Sequence, residues 1–168
     1  MEKLSTMNPA IKIRTIALND NEAVAKIIRG ALEEFGANKP GTVYFDPTTD
    51  HLFELFQTPG SIYFVATLDD KIIGSGGIYP TENLPKGTCE LVKLYLLKEA
   101  RGTGLGRTLL SHSLQWAKEN GYTQVYLETL PELSNAVSLY EKSGFTKIDH
   151  ALGNSGHFIC DIRMIKQL

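Results

Sequence analysis

The segment 101–107, Arg-Gly-Thr-Gly-Leu-Gly-Arg, is the part of the chain whose residue types and spacing could do chemistry. Its three glycines let the backbone adopt conformations closed to residues with a Cβ, so consecutive N–H groups can point at one spot. A helical pattern follows, and the unsatisfied N–H groups at a helix start favour an anion. Arg101 and Arg107 add positive charge at the rim. We therefore predict a phosphate or pyrophosphate site rather than a plain tight turn.

Several common functional motifs are absent from the sequence. A dinucleotide fingerprint starting at Gly102 needs a third glycine at position 107, which is Arg, and the Gly-Lys-Ser/Thr end of a P-loop is absent. No G-x-S-x-G occurs, which argues against a serine hydrolase of that type. Cys89 and Cys160 are far apart and have no metal-ligand spacing. The sequence therefore predicts neither a zinc site nor a disulfide framework.

Hydrophobic spacing predicts the elements that must position the glycine segment. Strands are expected at 11–16, 61–68, 71–79, 88–97, 125–129, 146–150 and 157–165. Helices are expected from the capping-box spacing of Asn19 and Glu22 to Phe35, over 50–57, from Leu105 to Asn120, and over 134–143. Asp69-Asp70 reads as the turn of a hairpin. Hairpins combined with strand-helix-strand units indicate a mixed sheet with helices on both faces.

Length and composition bound the class of protein. The 168 residues, 42% hydrophobic and 21% charged, fit one domain over 1–168. A net charge of −2 argues against a nucleic-acid reader that relies on neutralising phosphates. No apolar run approaches the ~18 residues of a membrane span, and the N-terminus lacks the apolar stretch of a secretion signal. We therefore expect no membrane partner, no nucleic-acid partner and a cytoplasmic location.

Two blocks of sequence resemble one family. Arg101-x-x-Gly104-x-Gly106, after the strand at 90–96, is similar to the coenzyme A signature of the GNAT superfamily of N-acetyltransferases. Downstream, Asn135 to Phe145 resembles the Asn-x-x-x-x-Tyr-x-x-x-Gly-Phe block of that superfamily. The order of elements also fits from Ile11 to Ile165, so the resemblance covers nearly the whole chain. Lys98 departs from it, because many relatives carry proline after this strand.

The resemblance implies a mixed, mostly antiparallel sheet in which two central parallel strands splay to admit acetyl-CoA. A bulge in the strand at 90–97 opens that gap in relatives. The pantetheine arm would bond to Leu94, Tyr95 and Leu96, and Asn135 would reach its amides, unless Asn135 only caps its helix. The residues that would hold the pyrophosphate form one continuous run, namely Arg101, Gly102, Thr103, Gly104, Leu105, Gly106 and Arg107. Acetyl-CoA is a co-substrate in this scheme, and no metal is expected.

Acetyl transfer to an amine needs a neutral nucleophile, a polarised thioester carbonyl and protonation of the departing thiolate. Tyr140 matches the family tyrosine and is the candidate acid, although it could also be a core aromatic residue. Glu90, a carboxylate in an apolar strand, is the candidate base, since partial burial would raise its pKa. It could instead pair with Lys93 or face solvent. A backbone N–H near Leu94 would polarise the thioester, and His157 could touch the substrate.

The resemblance therefore implies an acetyl-CoA-dependent N-acetyltransferase that moves an acetyl group to a primary amine of a small molecule or peptide by direct attack. Two other classes stay open: a non-catalytic module that binds or senses acyl-CoA, and a nucleotide-binding regulatory domain. The loops at 37–49 and 80–87 should frame the acceptor, but they carry no recognised code. The letters do not identify the acceptor, and they leave open whether the protein forms a homodimer.

Overall fold

A seven-stranded sheet forms the frame of the protein in a computed structural model that describes residues 10–156 and 159–168. The strand order is β1-β2-β3-β4-β5-β7-β6. The strands are β1 (Lys12–Thr15), β2 (Ile62–Leu68), β3 (Lys71–Tyr79), β4 (Thr88–Leu96), β5 (Gln124–Thr129), β6 (Thr146–Ile148) and β7 (Ile162–Gln167). Among the described strands, β4 and β5 alone pair in parallel, and the other neighbours pair antiparallel. The predicted mixed, mostly antiparallel sheet is confirmed.

Helices cover both faces of this sheet. They are α1 (Asn21–Glu34), α2 (Leu52–Leu55), α3 (Leu105–Glu119) and α4 (Ser134–Lys142). Along β2, Tyr63 and Val65 pack in the hydrophobic cluster of α1, whereas Phe64 and Ala66 pack in that of α3. Because successive side chains of a strand point to opposite faces, α1 and α3 lie on opposite sides of the sheet. Within the described residues, none of the helices is long and apolar enough to cross a membrane.

The start of α1 differs from the predicted capping box. A short 3₁₀ turn over Leu18–Asp20 comes first, and α1 begins at Asn21. The Asp20 carboxylate accepts the Ala17 N–H at 2.7 Å and pairs with the Arg14 guanidinium at 2.7 and 3.0 Å. Asp20 thus accepts a backbone N–H of the turn before the helix. The capping box predicted from Asn19 and Glu22 did not indicate this role. At the other end, α1 stops at Glu34, and Gly36, after the capping residue Phe35, has the φ of +67° that is common just beyond helix ends.

The hairpin between β2 and β3 turns where the sequence predicted. Asp69 and Asp70 have φ angles of +49° and +63°, and Leu68 and Lys71 pair across them. Two positive φ angles in succession give the turn the twist that suits flanking strands. Aspartate tolerates this conformation better than most residues, because its short polar side chain bonds locally. The pair therefore sets the register next to the turn, and beyond Thr67 the pairing of β2 with β3 shifts by one residue.

Three predicted ranges need correction. The last strand begins at Ile162 and runs to Gln167, not over 157–165; residues 157 and 158 lie outside the described residues. Its polar end belongs to the sheet because Lys166 and Gln167 pair with Val125 and Gln124. The strand β6 ends at Ile148 rather than at 150. The predicted helix over 50–57 is only one turn, Leu52–Leu55, preceded by 3₁₀ turns over Val43–Phe45 and Pro47–Asp50.

Candidate active site

The central strands β4 and β5 separate and leave a cavity. They pair only from Thr88 to Glu90, opposite Gln124 to Tyr126. Beyond these pairs the two strands border a cavity of about 530 Å³. The residues that sequence patterns had singled out and that line this cavity are Glu90, Leu94, Tyr95, Leu96, Arg101, Gly102, Gly104, Gly106, Arg107, Asn135 and Tyr140. The fold therefore brings the two motifs and the candidate acid and base to one place.

A bulge bends β4 where it borders the cavity. Ser75 pairs with Tyr95 and Gly77 with Val92, so that Lys93 and Leu94 both oppose Gly76. Lys93 has a φ of +53°, a conformation costly for a residue with a side chain. An added Cβ at position 76 would lie 3.2 Å from the Leu94 Cα and 2.7 Å from its Cδ1. Glycine at 76 therefore permits the close approach, and the bulge turns backbone groups toward the cavity.

The side chain of Tyr63 supports this bulge from below. Tyr63 is buried, with 1% of its surface exposed, and its hydroxyl donates to the backbone carbonyl of Lys93 at 2.8 Å. The Ser75 hydroxyl lies 3.0 Å from the same phenol oxygen. A bulged residue loses its ladder bond, so a partner for its carbonyl stabilises the irregular backbone. No sequence pattern had pointed to Tyr63, because it looks like an ordinary core residue of β2.

The glycine loop leads into the first turn of α3. Gly102 and Gly104 have φ angles of +73° and +86°, and a Cβ added to either would meet no atom within 4 Å. The space above these backbones is thus open, as an anion site requires. Thr103 and Leu105 do not line the cavity: Thr103 donates to the Ala100 carbonyl at 2.6 Å, and Leu105 is buried in the core. At these two positions only the backbone N–H groups remain available.

Arg101 lines the cavity, but its charge is already paired within the chain. Its guanidinium donates to the Glu34 carboxylate at 2.8 Å and stacks over the Phe35 ring, 4.6 Å from its centroid. It also donates to the Leu96 carbonyl at 3.4 Å. Arg101 thus ties the end of α1 to the end of β4. Arg107 also lines the cavity and has no ion pair with any other described residue. Its guanidinium is therefore the better candidate to pair with a phosphate group.

Glu90 is buried at the last pair before the strands separate. Only 4% of it is exposed, and it accepts a hydrogen bond from the Thr81 hydroxyl. Burial raises the pKa of this carboxyl to about 7; the Thr81 bond opposes the rise, Glu128 adds to it, and Lys93 opposes it. The solvent-facing alternative is therefore wrong. A direct ion pair with Lys93 is not formed either, since the carboxylate paired with Lys93 is that of Asp46.

Two charged residues that no motif indicated also line the cavity. Lys93 is 9% exposed, and its ammonium lies 4.0 Å from Asp46. Burial lowers the pKa of Lys93, while Asp46 and Glu90 oppose that shift. Glu128 accepts from the Tyr126 hydroxyl at 2.7 Å and from the Ser155 hydroxyl. Glu128 had the same sequence signal as Glu90, a carboxylate in an apolar strand, whereas nothing in the letters marks the conformation of Lys93.

Tyr140 is buried in the wall of the cavity, with 6% of its surface exposed. Its ring meets Phe145 edge to face at 5.8 Å, and burial raises the pKa of its phenol. Its hydroxyl makes no hydrogen bond within the described part of the chain, so it can donate to a bound group. Asn135 is the second residue of α4 and is exposed, while Leu133 holds the N-cap position, so Asn135 is not the cap. His157 lies outside the described residues.

The two cysteines have the properties of packing residues. Cys89 and Cys160 are both free and buried, and burial raises the pKa of each thiol to about 12. A thiol with such a pKa is almost fully protonated near neutral pH and is a poor nucleophile. Cys160 lines the cavity all the same. Over residues 10–156 and 159–168, no group of three or more His, Cys, Asp or Glu side chains could hold a metal ion.

Comparisons with known proteins agree with this geometry. The profile of the acetyltransferase (GNAT) family matches residues 24–145. The chain is 38% identical over 170 residues, and the full length of both proteins, to the uncharacterised N-acetyltransferase YjgM of Escherichia coli (strain K12). A GNAT-family acetyltransferase from Staphylococcus aureus Mu50 has the same fold, with a TM-score of 0.84 over 95% of this chain and 99% of that one at 20% identity. The PaiA N-acetyltransferase of Thermoplasma acidophilum, solved with coenzyme A, matches with a TM-score of 0.74 over 95% of this chain and 99% of that one, at 22% identity.

Proposed function

Because this chain belongs to the acetyltransferase (GNAT) family, we propose that it transfers the acetyl group of acetyl-CoA to a primary amine of a small molecule or peptide. It is an N-acetyltransferase, as its relatives are. The observation that carries the proposal is the fork between β4 and β5, where the glycine loop, Glu90 and Tyr140 border one cavity. A family member that had become a mere binding module would need neither a buried acid nor a free phenol in that cavity.

The residues around the fork fit acetyl-CoA. The backbone at Gly102 and Gly104 faces open space just before α3, and the N–H groups of 102–107 would hold the pyrophosphate, with Arg107 beside them. The pantetheine arm would bond to the backbone of β4 at Leu94, Tyr95 and Leu96, where β5 no longer pairs. Asn135, exposed on α4, would reach the amides of that arm. A structural neighbour solved with coenzyme A supports this assignment.

Three groups of the chain then carry the chemistry. Acetyl-CoA supplies the activated acetyl group, and the acceptor amine attacks it directly. Glu90, with its pKa raised by burial to about 7, accepts the proton that makes the amine nucleophilic. The backbone N–H of Leu94, at the bulge, donates to the thioester oxygen as negative charge develops there. The Tyr140 hydroxyl donates to the departing sulfur.

The test measures thiol release from acetyl-CoA with a panel of primary amines and peptide N-termini, together with calorimetry of CoA binding. We expect CoA binding and amine-dependent thiol release. Binding without release from any amine would support the sensing module instead. A rise in melting temperature with ATP or NAD but not with CoA would support the nucleotide-binding alternative. Neither result is compatible with the proposal.

Three further expectations go with this function and are tested separately. We infer that residues 1–168 form one domain, of which the family profile matches 24–145. A cytoplasmic location suits an enzyme that consumes acetyl-CoA, and it is checked by cell fractionation. A homodimer is checked by light scattering. All three stay predictions from the sequence.

A further inference from the structure

Lys93 places an amino group in the cavity with most of its hydrogen-bonding capacity unused. The side chain is 5% exposed, lines the cavity and has Asp46 as its ion-pair partner at 4.0 Å, too far for a hydrogen bond. Over residues 10–156 and 159–168, no hydrogen bond from this amino group is formed. An ammonium has three donors, and this one borders the cavity, where a bound group can accept from it. Something that enters the cavity should therefore bring an oxygen to Lys93.

We propose that Lys93 binds an uncharged oxygen next to the amine of the acceptor, so that the preferred acceptor is an amino amide such as the N-terminal residue of a peptide. The inference rests on the proposed function and names its acceptor class. Glu90 and Lys93 lie on the same strand, before and in the bulge, and the two side chains interact electrostatically. The acceptor amine at Glu90 would thus carry its neighbouring oxygen toward Lys93.

The charges around Lys93 favour a carbonyl over a carboxylate. Lys93 interacts electrostatically with Asp46 and Glu90, and Glu90 in turn interacts with Glu128, so that three carboxyl groups share this part of the described site with one lysine. An acceptor ammonium brings one positive charge into this surplus of negative groups. A free α-carboxylate would bring a further negative charge, and burying it beside Glu90 and Glu128 is costly. An amide carbonyl satisfies Lys93 without that cost.

The experiment compares three acceptors of similar shape: alaninamide, alanine, and 3-methyl-2-butylamine, in which an isopropyl group replaces the amide. Binding is measured by calorimetry with CoA present, so that no transfer takes place and the result does not depend on turnover. We expect alaninamide to bind about tenfold to a hundredfold more tightly than either alternative, as a hydrogen bond to a charged group would give. Equal affinities, or tighter binding of alanine, would overturn the proposal.

The variant Lys93→Met removes the amino group and keeps the length of the side chain. It should bind alaninamide as weakly as the parent binds 3-methyl-2-butylamine, with CoA affinity and affinity for that amine unchanged. Lys118→Met, at an exposed position on α3, is the matched control and should keep the preference. A preserved preference in Lys93→Met would overturn the assignment. Thiol release is measured separately, so an enzyme that prefers amides without turning them over would contradict the proposed function and not the role of Lys93.

Discussion

Glu90 is a carboxyl group that burial holds partly protonated near neutral pH. Its folded-state pKa is about 7, against an ordinary value of 4.5, so the folded protein binds the proton more tightly than the unfolded chain. Between these two values, raising the pH removes the proton from the unfolded chain first. Glu90 therefore makes the protein less stable as the pH rises from about 4.5 to about 7.

The variant Glu90→Gln should remove this dependence. We expect it to be more stable than the parent at pH ~8, by on the order of 1 to 3 kcal/mol, and the gain to vanish below pH ~4.5. Urea unfolding at several pH values measures it. In the proposed reaction the parent rate should rise with pH through about 7, and the variant should lose that rise. A variant whose stability and rate track the parent at every pH would show that Glu90 is ionised throughout and is not the base.

Tyr140 offers a second test at the scale of one atom. The variant Tyr140→Phe keeps the ring that packs on Phe145 and removes the hydroxyl that faces the cavity. We expect kcat to fall by about tenfold to a hundredfold, with CoA affinity changed only a few fold, because the hydroxyl acts on the departing thiolate. The control is Tyr122→Phe, whose hydroxyl bonds the Gly60 carbonyl instead. An unchanged kcat in Tyr140→Phe would show that Tyr140 is only a packing residue and not the acid.

The sequence predicted some of these residues and could not predict others. Glu90 and Tyr140 stood out because a carboxylate in an apolar strand and a family tyrosine are visible in the letters. Lys93 did not, since its burial depends on a backbone conformation and on Asp46, which the chain brings in from a distant turn. The contacts of Arg101 were not predictable for a related reason: its partners Glu34 and Phe35 lie at the end of α1, far away in the sequence.

At the scale of elements, α3 provides its own control for the glycine loop. Gly104 precedes the helix with a φ of +86° and Gly121 follows it with a φ of +88°, and both face open space. Asparagine tolerates this conformation, so Gly104→Asn and Gly121→Asn should each cost only about 1 kcal/mol of stability. Only Gly104→Asn places a side chain where the pyrophosphate would lie. Calorimetry should show a large loss of CoA affinity for that variant alone. Equal CoA affinities of the two variants would show that the pyrophosphate does not bind at this loop.

The bulge of β4 gives a prediction about positioning. The variant Tyr63→Phe removes the hydroxyl that holds the Lys93 carbonyl, while the φ of +53° at Lys93 stays unfavourable. The backbone N–H of Leu94 should then be held less firmly in the position from which it donates to the thioester oxygen. We expect kcat to fall by about tenfold while KM for the acceptor changes little, since one hydrogen bond is at stake.

Ser75→Ala is the matched variant, because it removes the second contact of the same phenol and leaves its bond to Lys93. It should have a smaller effect on kcat. Equal losses of stability in both variants, without any change in kcat, would mean that Tyr63 serves the core alone.

Elements with strong local signals were predicted well. The hairpin at Asp69-Asp70 and the helix after the glycine loop are written in neighbouring residues. The bulge was expected only from the family resemblance, because no letter marks Lys93 as bulged, and Gly76 shows its purpose only against Leu94. The end of β7 was missed because Lys166 and Gln167 join the sheet through pairing with β5, not through their own preference for strands.

For the whole molecule, CoA should act as a strong stabiliser, since it would fill the gap between β4 and β5. A ligand that binds only the folded state at a hundred times its dissociation constant adds about 2.7 kcal/mol of stability. In a domain of this size each kcal/mol raises Tm by about 2–4 °C. We therefore expect a rise of roughly 5 to 11 °C, measured by thermal unfolding with CoA present, and none with Gly104→Asn.

The short parallel pairing of β4 and β5 is also a seam that divides the sheet into two halves. One half holds β1 to β4 and the other β5, β7 and β6, and among the described strands the two halves are paired at three residue pairs, next to the hydrogen bonds that Gly87 accepts from Thr123 and Gln124. Without coenzyme, the amides that border the seam depend on side-chain packing for their protection against exchange with solvent. A bound pantetheine arm would make backbone hydrogen bonds to β4 where β5 no longer does. Hydrogen exchange should therefore slow on CoA binding in 92–96 and 127–129, and change little in β1 and β2.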